Sequence, residues 1–159
     1  DMFFPVFVDL TKKHILVIGA GKIASRRICV LHRFAGCITV VAPAVCAKIE
    51  NLAKENQDSF HILRRAFEPS DLDGMDMVLA ATDDALLNRE IGALCKERGI
   101  FANVASAQEQ CDFQFPSVIS EGEIVVGINA SGKDHRLVKE TRKKIEKCLL
   151  EEDGKSFYV

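Results

Sequence analysis

Val17-Ile18-Gly19-Ala20-Gly21-Lys22-Ile23-Ala24 follows directly on the apolar run His14-Ile15-Leu16. This stretch predicts a buried strand, a glycine turn and the first turn of a helix. That arrangement aims backbone N–H groups and the positive end of the helix at a phosphate. Gly19 permits the tight turn, and Gly21 lets a pyrophosphate approach the backbone. Ala24 stands where a third glycine often does, and it is small enough for close helix–strand packing. The pattern points to a dinucleotide whose diphosphate rests on the backbone of Gly19, Ala20, Gly21, Lys22 and Ile23.

Working outward, Ile15–Ile18 is the first expected strand and Lys22–Phe34 the first helix, ended by Gly36. Cys37–Val41 is a second strand, stopped by Pro43. A helix over Val45–Lys54 and strands at Phe60–Leu63 and Met77–Ala81 follow. Ala85–Arg98 is a helix with Asp83 or Asp84 as its N-cap and Gly99 at its end, and Phe101–Val104 is a fifth strand. This alternation implies a parallel sheet covered on both faces. The loops after Ile18, Val41, Ala81 and Val104 then share one edge, where ligands bind in such sheets. Beyond residue 105 the pattern changes. Ser117–Ile119 and Glu123–Ile128 read as a hairpin turning at Glu121-Gly122, and Asp134–Leu150 as a charged amphipathic helix. The expected fold class is α/β, a Rossmann-like parallel sheet over residues 1–115 with a small α+β segment over 116–150. Residues 151–159 are expected to be a tail, disordered or truncated.

The chain has 159 residues, 48% of them hydrophobic, and a formal net charge of −2. This suits one domain, or one domain with a short appended element. It argues against generic nucleic-acid binding, as does the lack of stacking aromatics: Tyr158 is the lone tyrosine and there is no tryptophan. No apolar stretch approaches the roughly 20 residues of a membrane span. No secretory signal pattern opens the chain, so a cytoplasmic protein is expected, although a start at Asp1 leaves a removed targeting segment open. None of the six cysteines, Cys29, Cys37, Cys46, Cys95, Cys111 and Cys148, forms a Cys-x-x-Cys pair or has zinc-finger spacing. Reduced, partly buried thiols and no metal site are expected.

Several stretches are more specific than the glycine turn. They are Phe4-Pro5-Val6-Phe7-Val8-Asp9-Leu10, Val40-Val41-Ala42-Pro43, Ala80-Ala81-Thr82-Asp83-Asp84 with Asn88-Arg89, Asn103-Val104, Cys111-Asp112-Phe113-Gln114-Phe115-Pro116-Ser117, and Asn129-Ala130-Ser131-Gly132-Lys133. In this order and spacing they resemble the precorrin-2 dehydrogenase family, the amino-terminal module of siroheme synthases. The resemblance runs from Phe3 to about Leu150. It implies NAD-dependent oxidation of precorrin-2, a tetrapyrrole, to sirohydrochlorin, and a homodimer whose segment after residue 115 crosses between protomers. Some members also insert ferrous iron, an additional expected partner. Members usually continue into a small helical domain, and so little chain follows Leu150 that this part is expected to be absent or truncated.

The expected second-strand carboxylate that grips the ribose is missing, since the strand ends in Val41-Ala42-Pro43-Ala44. These residues alone leave NAD and NADP open. The resemblance favours NAD, with Pro43 and Ala44 flanking the adenosine and Thr82 and Asp83 near the nicotinamide. Asp83 reads equally as a helix cap. The family commonly carries Asn-Val-x-Asp after the fifth strand, and this chain has Ser106 at the Asp position. Serine is a poor general base at neutral pH unless activated. Asp112 is the candidate substitute, with a turn carboxylate as the alternative reading. The family's serine in the Asn129–Gly132 loop corresponds to Ala130, with Ser131 adjacent. Asn129, Ser131, Lys133 and His135 are the expected substrate contacts, the cations matching a substrate rich in carboxylates. His135 is the one histidine near the expected site, and an imidazole there suits a proton acceptor or an iron escort. The competing readings are a family member with weakened catalysis that retains metal insertion or tetrapyrrole binding, and a non-enzymatic NAD-sensing module.

Overall fold

A computed structural model describes residues 3–151, and the expected tail lies, beyond Glu151, outside the described residues. The residues fall into two compact units, one spanning 7–113 and the other joining the amino-terminal residues through Val6 to the chain from Gln114 onward.

The first unit is built on strands β1 (His14–Ile18), β2 (Cys37–Val41), β3 (Phe60–Leu63), β4 (Met77–Ala80) and β5 (Phe101–Val104). All neighbours are parallel, in the order β3-β2-β1-β4-β5. Ile15, Leu16, Val17, Val78 and Leu79 are fully buried, as strands covered on both faces require. Helix α1 (Lys22–Leu31) turns Ala24, Ile28 and Leu31 inward, one residue per turn along a single stripe. Helix α2 (Ala47–Glu55) anchors through Ile49. Helix α3 (Ala85–Arg98) buries Asn88, Ile91, Gly92 and Cys95. Its N-cap is Asp84 rather than Asp83: the carboxylate accepts the Leu86 and Leu87 N–H groups at 2.9 and 3.1 Å. Gly99 closes it in the left-handed conformation, φ +66°.

Two expectations need correction. α1 ends at Leu31, not Phe34, because the chain tightens there: Arg33 and Phe34 donate three residues back, to Val30 and Leu31. Gly36 lies past that turn, with its N–H on the Leu10 carbonyl at 2.8 Å. The regular alternation also fails between β3 and β4, where the crossover carries only a short 3-10 turn at Pro69–Leu72. Leu72, 1% exposed, drops from it into the core among Leu16, Val78 and Ile91. Burying such a side chain contributes about 1.5–3 kcal/mol. The remaining boundaries move by one or two residues, with the first hairpin strand running to Glu121 and the last helix to Glu151.

In the second unit, β6 (Ser117–Glu121) and β7 (Ile124–Ile128) form the antiparallel hairpin, and α4 (His135–Glu151) follows. Arg142 ties the helix to the hairpin through Ser117 Oγ at 3.0 Å. Among the described residues no helix is long and apolar enough to cross a membrane.

The crossover turn is held by a fork: Arg65 donates to both Asp71 carboxylate oxygens, at 2.6 and 2.9 Å, and the Glu68 N–H adds a third bond at 2.9 Å. The Arg65 bond is the main cause that holds the Asp71 carboxyl below its ordinary value. That stabilisation is complete above the pKa of the unfolded carboxyl and is lost as pH falls through the lower folded value. Asp71→Asn should therefore lower stability at neutral pH by about 1–2 kcal/mol. It should also flatten the decline of stability with acid, read by urea melts at neutral and acidic pH. Parallel melts of both proteins across that range would refute this role.

Candidate functional site

The carboxyl ends of β1, β2 and β4 converge on Gly19. Its N–H donates to the Val41 carbonyl at 2.9 Å, while Ala81 N–H donates to Ile18 at 2.9 Å. Gly19 has φ +101°, and a Cβ there would lie 2.4 Å from the Ala81 carbonyl oxygen. Only glycine fits. Ala20 is half-buried, and its carbonyl accepts the Ser25 hydroxyl at 3.1 Å. Gly21 is the extended residue before α1, no side chain caps the helix, and a Cβ on Gly21 would meet nothing within 4 Å. Open space above uncapped helix amides is what a dinucleotide's diphosphate needs, so these residues fit that group. Lys22 and Ile23 are exposed on the first turn, and Pro43 and Ala44 are exposed in the loop after β2.

The neighbouring loops are tied together by a residue that the sequence reading left outside the site. Asn88 is 1% exposed on α3. Its Oδ1 accepts the Thr82 N–H at 3.0 Å and faces the Thr82 hydroxyl at 2.7 Å. Its Nδ2 donates to the Thr82 carbonyl at 3.1 Å and to Ser106 Oγ at 3.2 Å. Thr82 and Ser106 are thus brought together through one amide, with Asp83 exposed beside them. The available signal was an asparagine on the helix stripe shared by Ile91, Gly92 and Cys95.

Asp112 is placed elsewhere. It runs alongside β5, its carboxylate accepting the Ala102 N–H at 2.8 Å while its own N–H donates to the Ala102 carbonyl at 2.8 Å. Next to it the Asn103 amide donates to the Phe113 carbonyl at 2.8 Å, and Phe113 stacks on Phe101 with ring centroids 4.8 Å apart. This segment covers the open edge of the sheet. Asn103 Oδ1 in turn accepts from the Arg27 guanidinium at 2.6 Å, and burial pushes that guanidinium below its ordinary value. All six cysteines are free thiols, and burial raises Cys95 to about 11.

Asn129, Ser131, Lys133 and His135 belong to the second unit, in and after the turn between β7 and α4. Ser131 takes a positive φ of 54°. Lys133 N–H closes the turn on Ala130 at 3.0 Å, and Asp134 accepts the Leu137 N–H at 2.8 Å to start the helix. Asn129, Lys133 and His135 are exposed. Among the described residues no group of three or more His, Cys, Asp or Glu side chains is placed to hold a metal ion.

The two glycines should separate under mutation. Gly19→Ala drives a Cβ into the Ala81 backbone. It should cost about 2 kcal/mol or more of stability. Gly21→Ala adds a methyl in open space. It should leave stability within about 0.5 kcal/mol while weakening NADH binding about tenfold or more. Thermal melts and NADH fluorescence titrations check both. A Gly21→Ala chain that binds NADH normally would remove the diphosphate from this turn.

Residues 6–117 match the protein family described as "Putative NAD(P)-binding". The siroheme synthase of Sodalis glossinidius (strain morsitans) is 39% identical over 147 residues, covering 92% of this chain and 31% of that protein. The siroheme synthase of Psychrobacter sp. (strain PRwf-1) is 34% identical over 152 residues, covering 96% of this chain and 31% of that protein. The chain therefore spans about 31% of the length of these relatives. A solved structure named "SirC, precorrin-2 dehydrogenase" matches with a TM-score of 0.70 and 28% identity, over 92% of this chain and 71% of that one. The family and this neighbour support a nicotinamide dinucleotide as the cofactor. The chain belongs to this NAD(P)-binding family and is similar to the amino-terminal part of the siroheme synthases.

Proposed function

We propose that this chain oxidises precorrin-2 to sirohydrochlorin with NAD as the acceptor, in the formation of siroheme. The observation that carries the substrate is the likeness, over nearly the whole chain, to the solved precorrin-2 dehydrogenase. The geometry carries the cofactor: an open cradle at Gly21 beside uncapped helix amides. When bound, the nicotinamide ring supplies hydride acceptance. The reaction removes a hydride and a proton from the tetrapyrrole, giving NADH and one released proton.

In this reading the backbone of Gly19 to Ile23 holds the diphosphate, and Pro43 and Ala44 flank the adenosine. Thr82, Asp83 and Ser106 orient the nicotinamide and the reacting edge of the substrate. Ser106 is exposed, so the released proton passes to water. Asp112 is left out as a base because its carboxylate and its own N–H both pair with Ala102 inside β5, away from the loop that carries Ser106. Exposed Lys133 and His135, with Asn129 and Ser131, bind substrate carboxylates. NAD is favoured over NADP by the family resemblance, and the loop over Ala42-Pro43-Ala44-Val45-Cys46 adds no cation to neutralise a 2′-phosphate.

The working form is a homodimer. Among the described residues the second unit has a single buried apolar side chain, Ile119, and it exposes Phe4, Val6, Ile124 and Leu137. A two-stranded hairpin with one helix is too small to stand alone. A second copy supplies the missing cover.

Incubation of the chain with precorrin-2 and either NAD or NADP tests the activity. The expected outcome is absorbance of NADH near the nicotinamide band, with NAD preferred about tenfold or more in kcat/KM. Equal use of both would move the cofactor to NAD(P) without preference. Silence with both, together with iron-dependent conversion of sirohydrochlorin, would move the activity to metal insertion. Size-exclusion chromatography with light scattering should give twice the chain mass, and a monomer at micromolar concentration would overturn the dimer.

A further inference from the structure

The polarity of the Asn88 amide is fixed by its neighbours, and it decides what Ser106 can do. The atom facing the Thr82 backbone N–H must be the amide oxygen, because that N–H only donates. The atom facing the Thr82 carbonyl must be the amide nitrogen, because a carbonyl only accepts. These two contacts leave no freedom to flip the group. The second Nδ2 hydrogen is then directed at Ser106 Oγ, 3.2 Å away. Ser106 therefore receives a hydrogen bond from Asn88, and its own hydroxyl hydrogen remains for another partner. The residue is exposed, whereas Asn88 is 1% exposed within α3.

We propose that Asn88 is a positioning residue that holds Ser106 as a hydrogen-bond donor toward a carbonyl or carboxylate oxygen of the bound ligands, not as a proton acceptor. The proposal rests on the reading of this sheet edge as the place where cofactor and substrate meet. Two consequences follow from the same bond. The serine oxygen already carries one donated hydrogen bond, which lowers its basicity further. The seat at position 106 is also built for an acceptor, so a carboxylate placed there would be received by Asn88 Nδ2 and held in its charged form.

The test uses the whole 159-residue chain. In Ser106→Asp, the introduced carboxyl is titrated by carbon-detected NMR, with Asn88 intact and in the Asn88→Ala background. The expected result is a pKa below the ordinary aspartate range with Asn88 present and a clear upward move without it. Should Asn88→Ala lose its far-UV circular dichroism, Asn88→Asp replaces it. That variant keeps acceptor oxygens for Thr82, withdraws the donor and adds a like charge, so the same upward move is expected. In the turnover assay Ser106→Ala should raise the KM for precorrin-2 or NAD about tenfold, the loss of one hydrogen bond, with the pH profile of kcat unmoved. Identical titration of the introduced carboxyl with and without Asn88 would overturn the proposal, as would disappearance of an ionisation from the kcat profile in Ser106→Ala. A chain with no turnover whose carboxyl still shifts would sustain the Asn88 positioning and overturn the precorrin-2 reading alone.

Discussion

Three strand ends and one helix start meet at a residue with no side chain, and the architecture depends on that contact. Gly19 donates to β2 through Val41, and a Cβ on it would lie 2.4 Å from the Ala81 carbonyl oxygen, one residue past β4. Any side chain would push β4 away from β1 and open the sheet at the point where its strand order reverses. Keeping the ends close leaves the first turn of α1 standing at the sheet edge with its amides uncapped. The strain of a φ of +101° is accepted at the one residue type that bears it without cost. The packing contact and the ligand cradle thus share one cause.

Polar side chains in the same unit divide into two tasks. Asp112 satisfies the Ala102 N–H on β5, and Asn103 on β5 holds the Phe113 carbonyl of the covering segment, where an exposed edge would otherwise invite another strand. Asn88 faces the other way along the sheet and joins the loop after β4 to the loop after β5. Each is buried or bound in a way that leaves little reason for the group except its partners, because an unpaired amide inside a protein costs about 1–3 kcal/mol. The loops at the site are therefore not independent.

What the sequence made legible follows from which forces are local. β2, β3, α3 and β5 have the bounds that their apolar runs and caps imply, since strands buried on both faces read as unbroken hydrophobic runs and Gly99 stops a helix by its own conformation. The crossover between β3 and β4 was not legible, because Leu72 fills the core from a turn with no periodic pattern to announce it. Asp112 shows the same limit at the site. Its partner, Ala102, lies ten residues back and becomes its neighbour only when the chain doubles along β5. Asn88 was visible as part of a motif, but its role needed the two loops it joins to be in place.

The serine at position 106 is best understood through charge. Under the proposed reading the substrate carries many carboxylates, and a carboxylate at this position would repel any of them that came near. A hydroxyl held as a donor attracts them instead. The cost falls on proton removal, which a carboxylate would assist by about a hundredfold or more. At an exposed edge water can take that proton, and hydride transfer itself needs alignment more than a base. Ser106 and Asn88 together therefore favour orientation over proton abstraction, and the polarity of a single buried amide is what commits the site to that balance.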